Sequence, residues 1–211
     1  MTTRNALIIF THPVLETSFN GAILNTATET LTQLQASFRV RSLVQQGFNP
    51  VIYEEEWIGS FKGEVPPDCV EEQSHITWAD TLIFITPAWN FSIPAILKGY
   101  IDRVFMIPGF SLDMGESGTD YQGGLLEGKK ALIIQTLGSR LASGYKYGSI
   151  SAYIAPLVSS IYYVGIKDVR TLQIWNTYKA TNCSTALQQV SEFLLRMNET
   201  ATNTCEIIIS G

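Results

Sequence analysis

Histidine and cysteine are scarce in this chain, and the shortage removes several kinds of chemistry at once. His12 and His75 are the only histidines in 211 residues, which excludes a multi-histidine metal centre. Cys69, Cys183 and Cys205 are odd in number, widely spaced and without a Cys-x-x-Cys pair. They read as reduced thiols of a cytoplasmic protein, neither a disulfide framework nor a metal site. The net charge is −5 and no basic cluster exceeds the pair Lys129–Lys130, which argues against a nucleic-acid partner. No window approaches the ~18 apolar residues of a membrane span, and a signal-peptide pattern is missing. There is no Gly-x-Gly-x-x-Gly and no Walker lysine, so neither a Rossmann dinucleotide site nor an NTPase loop is expected. Linkers, repeats and low-complexity tracts are also missing, and residues 1–211 read as a single domain.

What the chain does have is an apolar fraction of 45% arranged in a βαβ rhythm, the mark of a parallel sheet covered on both faces. Strands are expected at Ala6–Phe10, Phe38–Leu43, Asp80–Thr86, Ala131–Thr136 and Val169–Trp175. Phe19, Ile23, Ala27, Leu31 and Leu34 recur at three and four, giving one face of a first helix. Further helices are read at Ile93–Phe105, at about 150–164, and along the stripe Leu187, Val190, Leu194 and Met197. Five strands alternating with five helices predict the order 2-1-3-4-5, with a switch point between strands 1 and 3 where ligands bind. Three loops should meet there: 11–20, 87–92 and 137–147. The stretches 44–79 and 106–128 read as insertions without strong periodicity, the second a glycine-rich, substrate-side loop. No role is assigned to the tail 198–211.

The most informative stretch is the octet Pro87-Ala88-Trp89-Asn90-Phe91-Ser92-Ile93-Pro94. Pro87 has no N–H and is expected to end its strand. Pro94 suits the first turn of the next helix, with Ser92 as its N-cap. Between them a short, stiff turn carries aromatic side chains off the carboxyl end of a strand. Such a loop suits a flat heteroaromatic ring; the plainer alternative is a tight connection whose aromatics cover the sheet.

The first loop runs Thr11-His12-Pro13-Val14-Leu15-Glu16-Thr17-Ser18-Phe19-Asn20. Thr17 or Ser18 would cap the first helix and leave N–H groups turned outward, a ready anion site to which His12 can add a donor. Thr17 and Ser18 can equally be caps and nothing more, with His12 packed at the turn. The third loop, Thr136-Leu137-Gly138-Ser139 and onward to Tyr145 and Tyr147, offers close backbone approach at Gly138 and N–H donors for the oxygen-rich edge of a ring that becomes anionic when reduced. A phosphate end, an aromatic wall and a donor loop on neighbouring strands together describe a flavin mononucleotide site.

Three segments carry a resemblance to a known family: His12-Pro13 with Thr17-Ser18-Phe19-Asn20; Pro87 through Phe105; and Gly128-Lys129-Lys130-Ala131 leading to Thr136-Leu137-Gly138-Ser139. The chain resembles the flavodoxin-like NAD(P)H:quinone oxidoreductases of the DT-diaphorase type and their bacterial relatives, and secondarily the FMN-dependent azoreductases. The match spans roughly residues 5–175. It implies a flavodoxin-like three-layer α/β sandwich and a homodimer with the flavin near the subunit interface. It also implies FMN (or FAD) as cofactor, with NADH or NADPH as hydride donor. The activity it implies is two-electron reduction of quinones in a ping-pong cycle. By the same resemblance His12, Thr17, Ser18, Phe19 and Asn20 inherit the flavin phosphate, and Pro87, Ala88, Trp89, Asn90 and Phe91 lie against the ring. Thr136, Leu137, Gly138, Ser139 and Tyr145 take its pyrimidine edge, with Tyr145 as catalytic donor. Departures touch the substrate side. The family's Gly-Gly is Gly138-Ser139, no histidine follows His75, and the substrate-facing tyrosines are replaced by Phe110, Ser111, Leu112 and Met114. Alternatives within reach of the same scaffold are azo- or nitro-compound reduction, a regulatory flavoprotein subunit of a membrane transporter, and a flavodoxin-type electron carrier.

Overall fold

The computed structural model describes residues 3–105, 110, 124–147, 150–179, 183–199 and 204–209. Its centre is a parallel sheet of six strands: β1 (Asn5–Phe10), β2 (Ser37–Ser42), β3 (Thr81–Pro87), β4 (Lys130–Leu137), β5 (Asp168–Trp175) and β6 (Thr204–Ile209), in the order β2-β1-β3-β4-β5-β6. The inner strands are apolar on both faces because both faces are covered. Leu7, Ile9, Leu82, Phe84, Ala131 and Ile133 point into one layer. Ala6, Ile8, Phe10, Ile83, Ile85, Leu132 and Ile134 point into the other. The sequence of β2, Ser-Phe-Arg-Val-Arg-Ser, is polar at every other position and leaves Ser37 and Arg39 exposed, as an edge strand must.

Helices α1 (Phe19–Gln33) and α7 (Cys183–Leu195) cover one face, while α3 (Pro67–Trp78), α4 (Ala95–Tyr100) and α6 (Ala155–Tyr163) cover the other. Two further short helices, α2 (Glu54–Ser60) and α5 (Leu141–Tyr147), complete the α-helices among the described residues. None is long and apolar enough to cross a membrane.

Several expectations change. The sheet has a sixth strand, β6, which pairs in parallel with β5 from Arg170↔Thr204 to Trp175↔Ile209; a β-branched run with no helix after it has no rhythm to announce it. The stretch 44–79 is not an insertion without structure, since it holds α2 and α3. The buried positions of α3 are Cys69, Glu72 and Ile76, and a glutamate on the inner face hides the stripe. Pro87 is the last residue of β3, as expected, but it does not break the ladder. It closes the strand opposite Thr136, and the next N–H, from Ala88, continues the ladder to the Thr136 carbonyl at 2.8 Å. The helix after the octet is capped by Pro94 without a side-chain bond and becomes a π-helical turn over Ile101–Phe105. Ser92 is therefore not its N-cap. The expected helix at 150–164 begins as a 3-10 turn, Ile150–Tyr153, before α6, and residues 141–147 of the third loop form α5. Of the glycine-rich stretch 106–128, residues 106–109 and 111–123 lie outside the described residues.

Below the sheet ends, α2 and α3 are tied to the segment after α4 by ion pairs. Arg103, on the π-helical turn, is 2% exposed. Its guanidinium donates to both Glu56 carboxylate oxygens (3.0 and 2.6 Å), to both Asp68 oxygens (2.7 and 3.0 Å) and to the Asn49 carbonyl (2.7 Å). Glu72 is buried because Arg41 Nε donates to it at 2.8 Å and the Tyr100 hydroxyl at 3.1 Å. Paired and hydrogen-bonded on all sides, these charges meet the condition for burial.

Candidate flavin site

The strand register brings the carboxyl ends of β1, β3, β4 and β5 to one edge, with Phe10 opposite Ile85, Pro87 opposite Thr136 and Leu137 opposite Trp175. The loops that leave these ends enclose a cleft of about 320 Å³. From the first loop, His12 and Asn20 line it. From the second come Pro87, Ala88, Trp89, Asn90 and Phe91, and from the third Thr136, Leu137, Gly138 and Ser139. Tyr153, Thr177 and Tyr178 complete the wall.

In the first loop Ser18 is the N-cap of α1, its Oγ accepting from the Gly21 N–H at 3.0 Å. Such a cap stabilises a helix by about 1 kcal/mol and fixes where the positive end of α1 lies. Thr17, Ser18 and Phe19 build this turn and do not line the cleft; Phe19 packs on the α1/α7 layer. His12 Nδ1 stands 3.1 Å from the Val14 nitrogen and 3.0 Å from its carbonyl oxygen. A neutral ring with its proton on Nε2 accepts from the Val14 N–H, whereas an imidazolium donates to the carbonyl. In both of these states Nε2 carries a proton and is a donor not used by the loop's own bonds. Gln45 ties the loop down by donating to the Pro13 carbonyl at 2.7 Å.

Asn20, 5% exposed, links α1 to β4 by donating from Nδ2 to Thr136 Oγ1 at 2.9 Å. Its Oδ1 is buried with no partner among the described residues. A buried acceptor left unpaired costs about 1–3 kcal/mol, so the position favours a ligand that brings a hydroxyl or N–H donor.

The second loop is a type I′ turn. Trp89 N–H donates to the Ser92 carbonyl at 2.9 Å and Ser92 N–H returns a bond to the Trp89 carbonyl at 3.1 Å. The two central residues, Asn90 and Phe91, have φ of 48° and 67°, as that turn requires. Asparagine tolerates the left-handed region, but phenylalanine there costs roughly 1–2 kcal/mol. The strain holds Trp89 (47% exposed) and Phe91 (55% exposed) at the rim. Phe91 leans on Tyr153 with ring centroids 5.8 Å apart, and His12 meets the edge of Trp89 at 6.1 Å.

The third loop is buttressed from β5. Gln173 donates to Gln135 Oε1 (2.9 Å), Gln135 donates to the Tyr153 carbonyl (3.1 Å), and Tyr153 packs edge-on against Trp175 at 5.5 Å. Tyr145 lies on α5, and its side chain is outside the described residues. No lysine, arginine, aspartate or glutamate lines the cleft among the described residues. The cleft is thus neutral, aromatic at its rim and rich in backbone and amide dipoles. No group of acidic, histidine or cysteine side chains among the described residues is arranged for a metal ion.

A family model for the flavodoxin-like fold matches residues 4–196. The chain belongs to the flavodoxin-like fold family. An NAD(P)H oxidoreductase of Haemophilus influenzae, itself uncharacterised, is 33% identical over 168 residues, covering 78% of this chain and 80% of the relative. The NAD(P)H dehydrogenase [quinone] 1 of Rattus norvegicus is 32% identical over 184 residues, covering 76% of this chain and 64% of the relative. The chain spans between 57% and 65% of the length of that relative and two further curated ones. The solved NAD(P)H:quinone oxidoreductase of Methanothermobacter marburgensis superposes with a TM-score of 0.81 over 96% of this chain and all of the other, at 23% identity, and so shares the fold.

Of the residues named from sequence, the structure gathers His12, Asn20, the run 87–91 and the run 136–139 around one cleft. The sequence reading missed Tyr153, Thr177 and Tyr178. The last two follow β5, whose carboxyl end shares the cleft edge in any 2-1-3-4-5 sheet, and that topological fact was the available signal.

Proposed function

We propose that the protein is a flavin-dependent NAD(P)H oxidoreductase that reduces quinones by two electrons, with FMN as its flavin. The observation that carries this reading is the unpaired, buried Asn20 Oδ1, set in a neutral cleft between a capped helix N-terminus and an aromatic turn. The hydroxyl-bearing chain of a flavin offers donors for that oxygen, and its ring suits the aromatic rim. The kinship with the Haemophilus and rat proteins supports the nicotinamide and quinone parts of the reading.

When bound, the flavin supplies the two-electron chemistry, taking hydride from the nicotinamide and returning it to the acceptor. The chain's part is to bind, orient and shield. The start of α1, with the His12 Nε2–H, holds a phosphate without a fixed cationic side chain. Trp89 and Phe91 offer flat apolar faces, and the N–H of Asn90, left free by the type I′ turn, serves as a donor to a ring nitrogen. Backbone N–H groups of Gly138 and Ser139 serve the ring's oxygen-rich edge as negative charge grows there, and Tyr145 of α5 is the side-chain donor this reading retains.

The reading extends to a homodimer in the cytoplasm, a compartment that keeps a buried thiol such as Cys69 reduced. Tyr100 and Phe110 are buried and offer a partner no contact surface, whereas Trp89 and Phe91 are exposed at the cleft rim. A further group of exposed apolar side chains, Tyr53, Trp57, Ile58 and Phe61, gathers on and beside α2.

The deciding experiment is the absorption spectrum of the purified protein, the mass of any released flavin, and oxidation of NADH and NADPH with a soluble quinone. A protein that stays colourless after reconstitution with FMN overturns the proposal.

A further inference from the structure

Helix α2 is built inside out. Its inner side carries the polar contact: Glu56 accepts from the Arg103 guanidinium, and Gly59 is buried so close to Glu64 that a Cβ there would fall 2.8 Å from Glu64 Oε2. Tyr53, Trp57 and Phe61 recur every four residues and so share a side turned away from that contact. They are 54%, 56% and 75% exposed, with Ile58 beside them at 47%. Trp57 and Phe61 meet edge to face, ring centroids 5.2 Å apart. A surface helix normally hides its apolar stripe; this one hides a carboxylate and turns four large apolar side chains to water.

The size of the stripe fits a protein contact. Taking about 150–250 Å² for each large side chain, the four present roughly 500 Å² of apolar surface at the exposures above. A standard interface buries about 800 Å² per partner, a little over half of it apolar. None of the four residues lines the flavin cleft.

The charges around the stripe choose the occupant. Glu54 and Glu55 stand exposed at the start of α2, and Lys62 stands exposed just past its end. A twofold axis passing beside Trp57 and Ile58 sets two copies of α2 antiparallel. Glu54 then faces Lys62 of the partner subunit, Tyr53 faces Phe61 of the partner subunit, and Trp57 meets Trp57 of the partner subunit. Opposite charges at the ends with apolar rings between them make a face complementary to itself, as an isologous contact requires. The same acidic residues, with Glu64, disfavour an anionic lipid surface.

We propose that the outward face of α2 is the contact between two copies of this chain, paired antiparallel about Trp57. The proposal gives a surface to the homodimer named above and rests on that part of the reading alone.

Sedimentation velocity over a micromolar concentration range, with and without added FMN, tests it. Wild-type protein should sediment as a dimer in both conditions. Trp57→Glu should raise the dimer dissociation constant about thirtyfold or more, as the loss of a central aromatic anchor does. Lys62→Glu should raise it about fivefold, and adding Glu54→Lys should recover most of that loss. These two side chains are exposed, so the charge variants decide the matter even where Trp57→Glu fails to fold. A dimer indifferent to both Trp57→Glu and Lys62→Glu closes through another face and overturns the assignment while leaving the homodimer standing. A monomeric wild type overturns both. A dimer that takes up no FMN keeps this contact and overturns the flavin reading instead.

Discussion

The rim of the cleft and the ion-pair buttress beneath α4 are built on opposite terms. At the rim, Asn20 Oδ1 is unpaired, Phe91 sits in a left-handed conformation, and Trp89, Phe91 and Tyr178 are exposed. In the buttress, every nitrogen of the buried Arg103 guanidinium is used, and Glu72 is shared by Arg41 and Tyr100. The first region keeps its polar groups and aromatic faces in reserve for a ligand. The second has spent its own on itself. Folding free energy should therefore concentrate in the buttress and ligand affinity at the rim, and substitutions in one should leave the other nearly intact.

The strongest test removes the guanidinium. Arg103→Met leaves Glu56, which is 17% exposed, and Asp68 facing a buried apolar stem. Breaking a buried pair from one side costs about 3–5 kcal/mol; with Asp68 half exposed, about 3 kcal/mol is expected. Urea denaturation reads that loss. FMN affinity of the folded variant should stay within about twofold of wild type, a difference of about 0.4 kcal/mol. A parallel collapse of affinity would show that α2 and α3 hold the cleft as well as the fold.

The second test works from the other side. His12→Ala removes a donor that is bonded only within its own loop. A charge-assisted hydrogen bond to phosphate contributes about 1.5–3 kcal/mol, so FMN should bind about tenfold more weakly or worse. Riboflavin, without phosphate, should be nearly indifferent, and urea stability of the apoprotein should not change. Equal losses for the two ligands would make His12 part of the scaffold.

The rim was far more legible from sequence than the buttress, for a physical reason. Strands such as Ala6–Phe10 and helices such as Phe19–Gln33 announce themselves because apolar side chains repeat with the period of the element. The prolines, aromatics and small polar residues of a ligand loop are likewise unusual where they stand. A helix whose inner face is Cys69, Glu72 and Ile76 has no such pattern, because its burial depends on Arg41, thirty-one residues earlier in the chain. The π-helical turn at Ile101–Phe105 is invisible for the same reason: it follows a clean helical stripe and exists in company with the Arg103 pairing. Strand β6 is a short isolated run that means something only beside β5. Tyr178 could be placed only once the turn at Asn176 was seen to fold back onto Ser139. Local periodicity is written locally; contacts made by charge pairs and loop closures are not.

Acid offers the gentlest way to separate the two regions. Burial pushes the Asp68 carboxyl upward, but the hydrogen bond and charge of Arg103, with backbone donors, outweigh it and hold the group below its ordinary value of 3.8. A carboxyl whose pKa is depressed in the folded protein contributes stability above its unfolded pKa, and that contribution is lost as pH falls through the folded value. The wild-type protein should thus keep the contribution above about pH 4 and shed it on further acidification. Asp68→Asn should be somewhat less stable near neutrality and show a flatter decline in acid, while its FMN affinity at neutral pH matches wild type. Since the Asp68 side chain is 48% exposed, solvent screens the pair and the change should be the smallest of the three. Urea midpoints measured at pH 7 and at successive steps down to pH 3 provide the check. If the Asn variant follows the wild-type acid limb in parallel, Asp68 is a bystander, and Glu56 alone anchors Arg103.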